Sequence, residues 1–191
     1  MKLLLLEVLN QSIEDHLRSR GIDPNRTGIV VDKKSGMVTF LLYNLSGQLV
    51  GYQRYNPHGH KFSHSSKDPL MAKYYTYVIK NPETKTRMIA VWGVDTIRDG
   101  SPLFIVEGIF DAVKVHNAGY PAIAVLANNP KHLRSWLRTL PNVRIVIYDN
   151  DTAGRKLAKL GHKAYTVPHP YKDLGEMPQN EATEFIKSLV K

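Results

Sequence analysis

Residues 143–156 read VRIVIYDNDTAGRK, and their reading decides the fold. VRIVIY is a short apolar run rich in β-branched residues, which predicts a buried strand. Asp149 and Asp151 follow at its end, and TAGRKLAKLG (152–161) predicts a helix with Thr152 as its cap. Working outward, the same strand–helix alternation repeats. LFIV (103–106) is a strand followed by a helix over IFDAVKVHNAG (109–119), closed by Gly119. AIAVL (122–126) is a strand followed by a helix through HLRSWLRTL, KAYTV (163–167) is a fourth strand, and EATEFIKSLV (181–190) is a last amphipathic helix. Such alternation predicts an α/β domain: a Rossmann-like parallel sheet with helices on both faces.

Upstream the period differs. Residues 3–20 predict a helix with Leu6, Leu9, Ile13 and Leu17 on one face, stopped by Gly21. Residues 28–55 predict a small antiparallel meander, and residues 56–91 read as polar and irregular, broken by Pro57, Pro69 and Pro82. The expected division is therefore 1–100, a helix plus a small basic α+β subdomain, and 101–191, the parallel-sheet domain with its C-terminal helix.

The chain has 191 residues and 26 Lys+Arg against 17 Asp+Glu, a net charge of +9. That excess points to a polyanion, chiefly nucleic acid, through neutralised phosphates. With no cysteine, thiol nucleophiles, disulfides and cysteine-based zinc modules are excluded. The opening leucine run, interrupted by Glu7, is too short for a signal core or a membrane span, so a soluble, cytoplasmic protein with no membrane partner is expected. Between 51 and 91, Arg54, Lys61, Lys67, Lys73, Lys80, Lys85 and Arg87 outnumber Asp68 and Glu83. Tyr52, Tyr55, Phe62, Tyr74, Tyr75 and Tyr77 lie among them. Cations interleaved with rings suit a single strand, whose phosphates meet the cations while its bases stack. The same tyrosines also fit half-buried strand positions. His58, His60 and His64 have no accompanying acid or cysteine and read as loop residues, and Trp92 and Trp136 as core.

The acids are distributed differently. Residues 101–191 contain eight, and six fall at strand ends: Glu107 and Asp111, Asp149 and Asp151, Asp173 and Glu176. Open parallel sheets form their sites beyond the carboxyl ends of strands. Carboxylates crowded there raise one another's pKa unless a cation sits among them, and Mg2+ prefers such hard oxygens. Arg155 and Lys156 follow the third strand, near where a phosphate would lie.

VEGIFDA (106–112), YDNDTAGRK (148–156) and YKDLGE (171–176) resemble, in that order, the three motifs of the Toprim domain, in its bacterial and phage primase branch. Gly175 stands where an asparagine is common. HLRSRGI (16–22), VTFLLYNLSGQLVGYQRY (38–55), KYYTY (73–77) and AVWGVDTI (90–97) extend the resemblance to the primase catalytic core, over roughly residues 12–180. The resemblance implies a nucleotidyltransferase making RNA primers on a single-stranded DNA template from NTPs, with Mg2+ or Mn2+. It implies Glu107, Asp111, Asp149, Asp151, Asp173 and Glu176 as metal acids, with Glu107, Asp149 and Asp151 catalytic. Arg54, Lys73 and one of Lys85 or Arg87 would hold template, nucleotide or primer, joined by Lys61, Tyr74, Arg155 and Lys156. Neither a zinc ribbon nor a helicase P-loop is recognisable, so a separate helicase or zinc-binding initiation factor is the implied partner, in a bacterial or phage-infected cell. The alternatives are a Toprim nuclease using the same acids, and a non-catalytic nucleic-acid-binding accessory protein.

Overall fold

A computed structural model describes residues 12–61, 68–126, 133–149 and 154–190. The chain forms two compact units, Met1–Leu42 with Gly51–Ile79, and Tyr43–Val50 with Lys80–Lys191.

In the first unit, α1 spans Ile13–Ser19. Ser12 is its N-cap in extended conformation, and its hydroxyl oxygen accepts the Asp15 N–H at 3.1 Å. The described helix thus begins at Ile13, and the expected residues 3–11 lie outside the described residues. Ile13 and Leu17 turn inward. Four strands follow in the order β1 (Ile29–Asp32), β2 (Met37–Tyr43), β3 (Leu49–Tyr55), β4 (Tyr74–Val78). Strict alternation along β2 buries Val38, Phe40 and Leu42, as the meander predicts. Strand β4 is a departure, because it lies in a stretch expected to be irregular. It zips antiparallel to β3, with Tyr52 opposite Tyr77 and Tyr55 opposite Tyr74. Rings within these pairs stack at 5.5 and 5.3 Å between centroids. The strand preference of YYTYV and its cross-strand aromatic pairs outweigh the polar surroundings that suggested a loop.

In the second unit all four strands are parallel, in the order β6 (Ala122–Ala124), β5 (Leu103–Val106), β7 (Arg144–Tyr148), β8 (Lys163–Thr166). The connecting helices are α2 (Ile109–Asn117), α3 (Leu133–Leu137), α4 (Gly154–Leu157) and α5 (Gln179–Ser188). Every residue of β5 is buried. Leu103 and Ile105 share one cluster with Leu133, Leu137, Leu157 and Leu160, while Phe104 meets the Tyr120 ring. Burial on both faces explains why β5 is apolar without alternation. The helix expected over 152–161 is, in the described residues, one turn of α4 continued as a 3-10 turn, Ala158–Leu160. That tightening places Leu157 and Leu160, three apart, on the same core side.

Residues 80–100, together with Tyr43–Val50, group with this unit. The cause is visible in the backbone: Trp92 and Ala124 exchange two hydrogen bonds, of 3.1 and 3.0 Å, adding an antiparallel rung beside β6.

Ile105 is fully buried at the centre of this sheet. Ile105→Ala is expected to cost about 2–5 kcal/mol, by lost burial plus the cavity left behind. Urea unfolding followed by circular dichroism measures it.

Candidate functional site

The turns after β5, β7 and β8 of the parallel sheet carry acids. Glu107 directly follows β5, and its carbonyl accepts the Leu126 N–H at 2.9 Å, tying the ends of β5 and β6 together. Gly108 caps α2, which brings Asp111 to the third helical position. Asp111 Oδ2 accepts the Gly108 N–H at 3.0 Å, and its Oδ1 accepts the Gly175 N–H at 2.8 Å. One carboxylate therefore joins two turns, and Asp111 and Gly175 lie 64 residues apart in sequence. Asp173 caps a 3-10 turn, Leu174–Glu176, by accepting the Glu176 N–H at 3.0 Å. Asp149 follows β7, and Gly154 lies so close to the Asp149 carbonyl that no side chain fits at 154.

Asp111 is only 8% exposed. Burial, and then the negative charges of Asp173 and Asp149, push its carboxyl up to about 7, against the lowering effect of its two backbone N–H donors. Two of the other expected acids, Asp173 and Asp149, thus act on Asp111. Among the described residues, no three acidic or imidazole side chains converge in a ready metal-binding arrangement, and Asp151 and Thr152 lie outside those residues. Glu176 is exposed and turns back on its own loop, where Oε2 accepts the Lys172 N–H at 3.2 Å.

The donor set fits a hard divalent cation. A Cβ at Gly175 would stand 3.2 Å from both Asp111 Oδ1 and Asp173 Oδ1, so the missing side chain keeps a space open between two carboxylate oxygens. Mutual repulsion of these carboxylates is what a cation would relieve. The backbone N–H of Gly175 was not readable from the sequence, where residue 175 stands out only as a departure from asparagine.

The basic and aromatic residues divide between the units. Arg54 faces Tyr75 across β3 and β4, Lys73 precedes β4, and Tyr74 is 43% exposed at its start. Lys61 is exposed beside the stretch 62–67, which includes His64 and is not among the described residues. In the second unit Lys85 takes a left-handed φ of 57° in a turn closed by the Asn81 N–H on Thr86 O, at 2.8 Å. Arg87 bridges Lys80, and Arg155 and Lys156 are exposed on α4.

Residues 104–177 match the Toprim-like family, so the chain carries a Toprim-like domain there. Solved structures share the fold across both units. A chain in the structure of bacteriophage T7 lagging-strand DNA polymerase with primase domains bound to an RNA/DNA hybrid and dTTP is 18% identical, with a TM-score of 0.62. The alignment covers 91% of this chain and 89% of that one. The primase fragment of the bacteriophage T7 primase-helicase is 18% identical, TM-score 0.61, over 92% of this chain and 72% of that one. The RNA polymerase domain of Mycobacterium tuberculosis primase is 20% identical, TM-score 0.54, over 97% of this chain but 64% of that domain. No curated protein sequence matches the chain.

A carboxyl raised from 3.8 to about 7 on folding keeps its proton to higher pH in the folded state than in the unfolded one. The stability tied to that proton is complete below about pH 4 and is lost as the pH rises through about 7. The melting temperature without metal is therefore expected to fall between about pH 5 and about pH 8, and Mg2+ to restore more of it at the higher pH. Thermal melts with and without Mg2+ at both values check this. Gly175→Ala fills the space between the two carboxylates, and calorimetry should find its Mn2+ affinity about tenfold or more below wild type, the loss expected when a metal's supporting shell is disturbed.

Proposed function

We propose that the chain is a DNA primase catalytic core, joining ribonucleotides on a single-stranded DNA template in a metal-dependent reaction. The observation that carries this reading is the buried Asp111 carboxylate, held between the turns after β5 and β8 and pressed by Asp149 and Asp173. Its setting, a Toprim-like domain within a fold shared with primase domains, supports the same reading.

Glu107, Asp149 and Asp151 would hold Mg2+ or Mn2+, with Asp173 and Glu176 as further oxygen donors. Such a cation, when bound, offsets phosphate charge and favours displacement at phosphorus. The chain's own residues do the rest. Asp111 positions the turns that carry the other acids. The primer 3′-hydroxyl oxygen bonds to the α-phosphorus, the bond to the bridging β-phosphate oxygen breaks, pyrophosphate leaves, and Glu107 takes the hydroxyl proton. Arg155 and Lys156, exposed just after β7, meet the phosphates of the incoming nucleotide. Lys85 and Arg87 add cations from the turn after residue 80. In the first unit Arg54, Lys61, Lys73 and Tyr74 hold template or primer, cations on phosphates and ring on base. A separate helicase or zinc-binding initiation factor would supply loading and start-site choice in the cytoplasm. No described helix is long and apolar enough to cross a membrane.

Wild-type protein with single-stranded DNA, labelled NTPs and Mn2+ is expected to yield short oligoribonucleotides. Asp149→Asn should lower the yield by about 100-fold or more, the scale seen when charge stabilisation at a transition state is lost. Metal-dependent cleavage of the template without NTPs, and no primer, would identify the nuclease instead. Product unchanged by Asp149→Asn would reject both.

A further inference from the structure

The backbone around Glu107 is held more tightly than the end of a strand requires. Val125 N–H donates to Val106 O at 3.0 Å, the last rung in phase between β5 and β6. The very next amide bonds the very next carbonyl, Leu126 N–H to Glu107 O, at 2.9 Å. Successive amides of an extended strand point to opposite edges. Ala124 obeys that alternation: its N–H and carbonyl both face Trp92, across the other edge of β6. Leu126 is two residues on and in phase with Ala124, so its N–H belongs on the Trp92 side. Instead it is turned back onto Glu107.

The chain leaves this bond in an unfavourable conformation. Leu126 has a φ of 54°, in the left-handed region. Among the described residues, exposed Lys85 is the other one with a side chain and a positive φ. Crowding of Cβ against the backbone carbonyl disfavours that region for every residue but glycine, with asparagine and aspartate next most tolerant. A leucine has neither remedy. Strain of this kind persists where surrounding bonds over-determine it, and it gathers at functional sites.

What the turn secures is Glu107. The peptide after Glu107 is clamped at both ends, its carbonyl by the Leu126 N–H and its N–H, that of Gly108, by Asp111 Oδ2 at 3.0 Å. The peptide before Glu107 is held through Val106 O. Each residue has two soft backbone dihedrals, and fixing both flanking peptides fixes both of them. The direction of the Glu107 Cα–Cβ bond is then set as well.

We propose that Leu126 is a positioning residue for Glu107: its left-handed turn keeps the Leu126 N–H on the Glu107 carbonyl and so sets the direction in which Glu107 offers its carboxylate to a divalent cation. This deepens the metal-dependent reading of the site, on which it rests, by adding to it a residue with no polar side chain. The contribution is conformational, and residue 126 acts through the backbone it can adopt.

A conformational role and a packing role rank substitutions in opposite order. Leu126→Val keeps most of the apolar volume, but its β-branch resists left-handed backbone. Leu126→Gly and Leu126→Asn discard the packing and accept the conformation. Mn2+ binding to the full chain is measured by calorimetry without nucleotide or template, on variants that circular dichroism shows to be folded. Leu126→Val is expected to bind about tenfold more weakly than wild type, as when a metal's supporting shell is disturbed, and the Gly and Asn variants within about twofold of it. Hydrogen exchange at the amide of residue 126 should be slow in wild type, Leu126→Gly and Leu126→Asn, and fast in Leu126→Val. Should Leu126→Val fail to fold, Leu126→Ala takes its place and should bind Mn2+ several-fold more weakly than Leu126→Asn. A valine variant, or the alanine one in its place, that binds as well as the Gly and Asn variants would overturn the proposal. So would fast exchange of that amide in wild type. Either result, in a chain that binds Mn2+, removes the role of Leu126 alone, whereas a wild-type chain that binds no Mn2+ removes the metal reading with it.

Discussion

The rest of the site depends on one buried carboxylate. Asp111 bonds the N–H that precedes its own helix and the N–H of Gly175, and so fixes the turn after β5 against the turn after β8. Carboxylates gathered at strand ends repel, and left to solvent they would separate. Here neutral backbone donors hold one of them in place, and burial, with the charges of Asp173 and Asp149 added to it, raises its pKa to about 7. The arrangement is costly without a cation and suited to one, as is common where groups are gathered for chemistry.

The second unit was largely legible from sequence because its signals agree at every level. Short apolar runs, helices between them and glycines at the turns all specify parallel strands, and β5, β6, β7 and β8 form where strands were read. What sequence missed was local. The 3-10 turn at Ala158–Leu160 comes from core contacts of Leu157 and Leu160, a tertiary demand that helix propensity does not report. In the first unit β4 was hidden because lysines and prolines surround it, while its strength lies in cross-strand rings from β3. The place of residues 80–100 was equally unreadable, since it rests on the rung between Trp92 and Ala124.

For the site, sequence reading identified residues and their order along the chain but not their bonds. That Asp173 and Asp149 act on Asp111 follows from the topology, because β5 and β7 are neighbours and Asp111 reaches across to the loop after β8. The role of Gly175 is carried by a backbone N–H and by an absent side chain, and neither leaves a mark in residue chemistry. His58 read as a loop residue, and it lies in the loop that backbone bonds between residues 56–60 and 71–73 close.

The central claim is that the acids at the ends of β5 and β7 share a divalent cation. Anomalous diffraction from crystals soaked in Mn2+ tests it most directly. The account predicts a manganese peak within ligand distance, about 2.0–2.2 Å for a small hard cation, of Asp149 and Glu107 carboxylate oxygens. Manganese bound elsewhere, with these carboxylates apart and solvated, would contradict it.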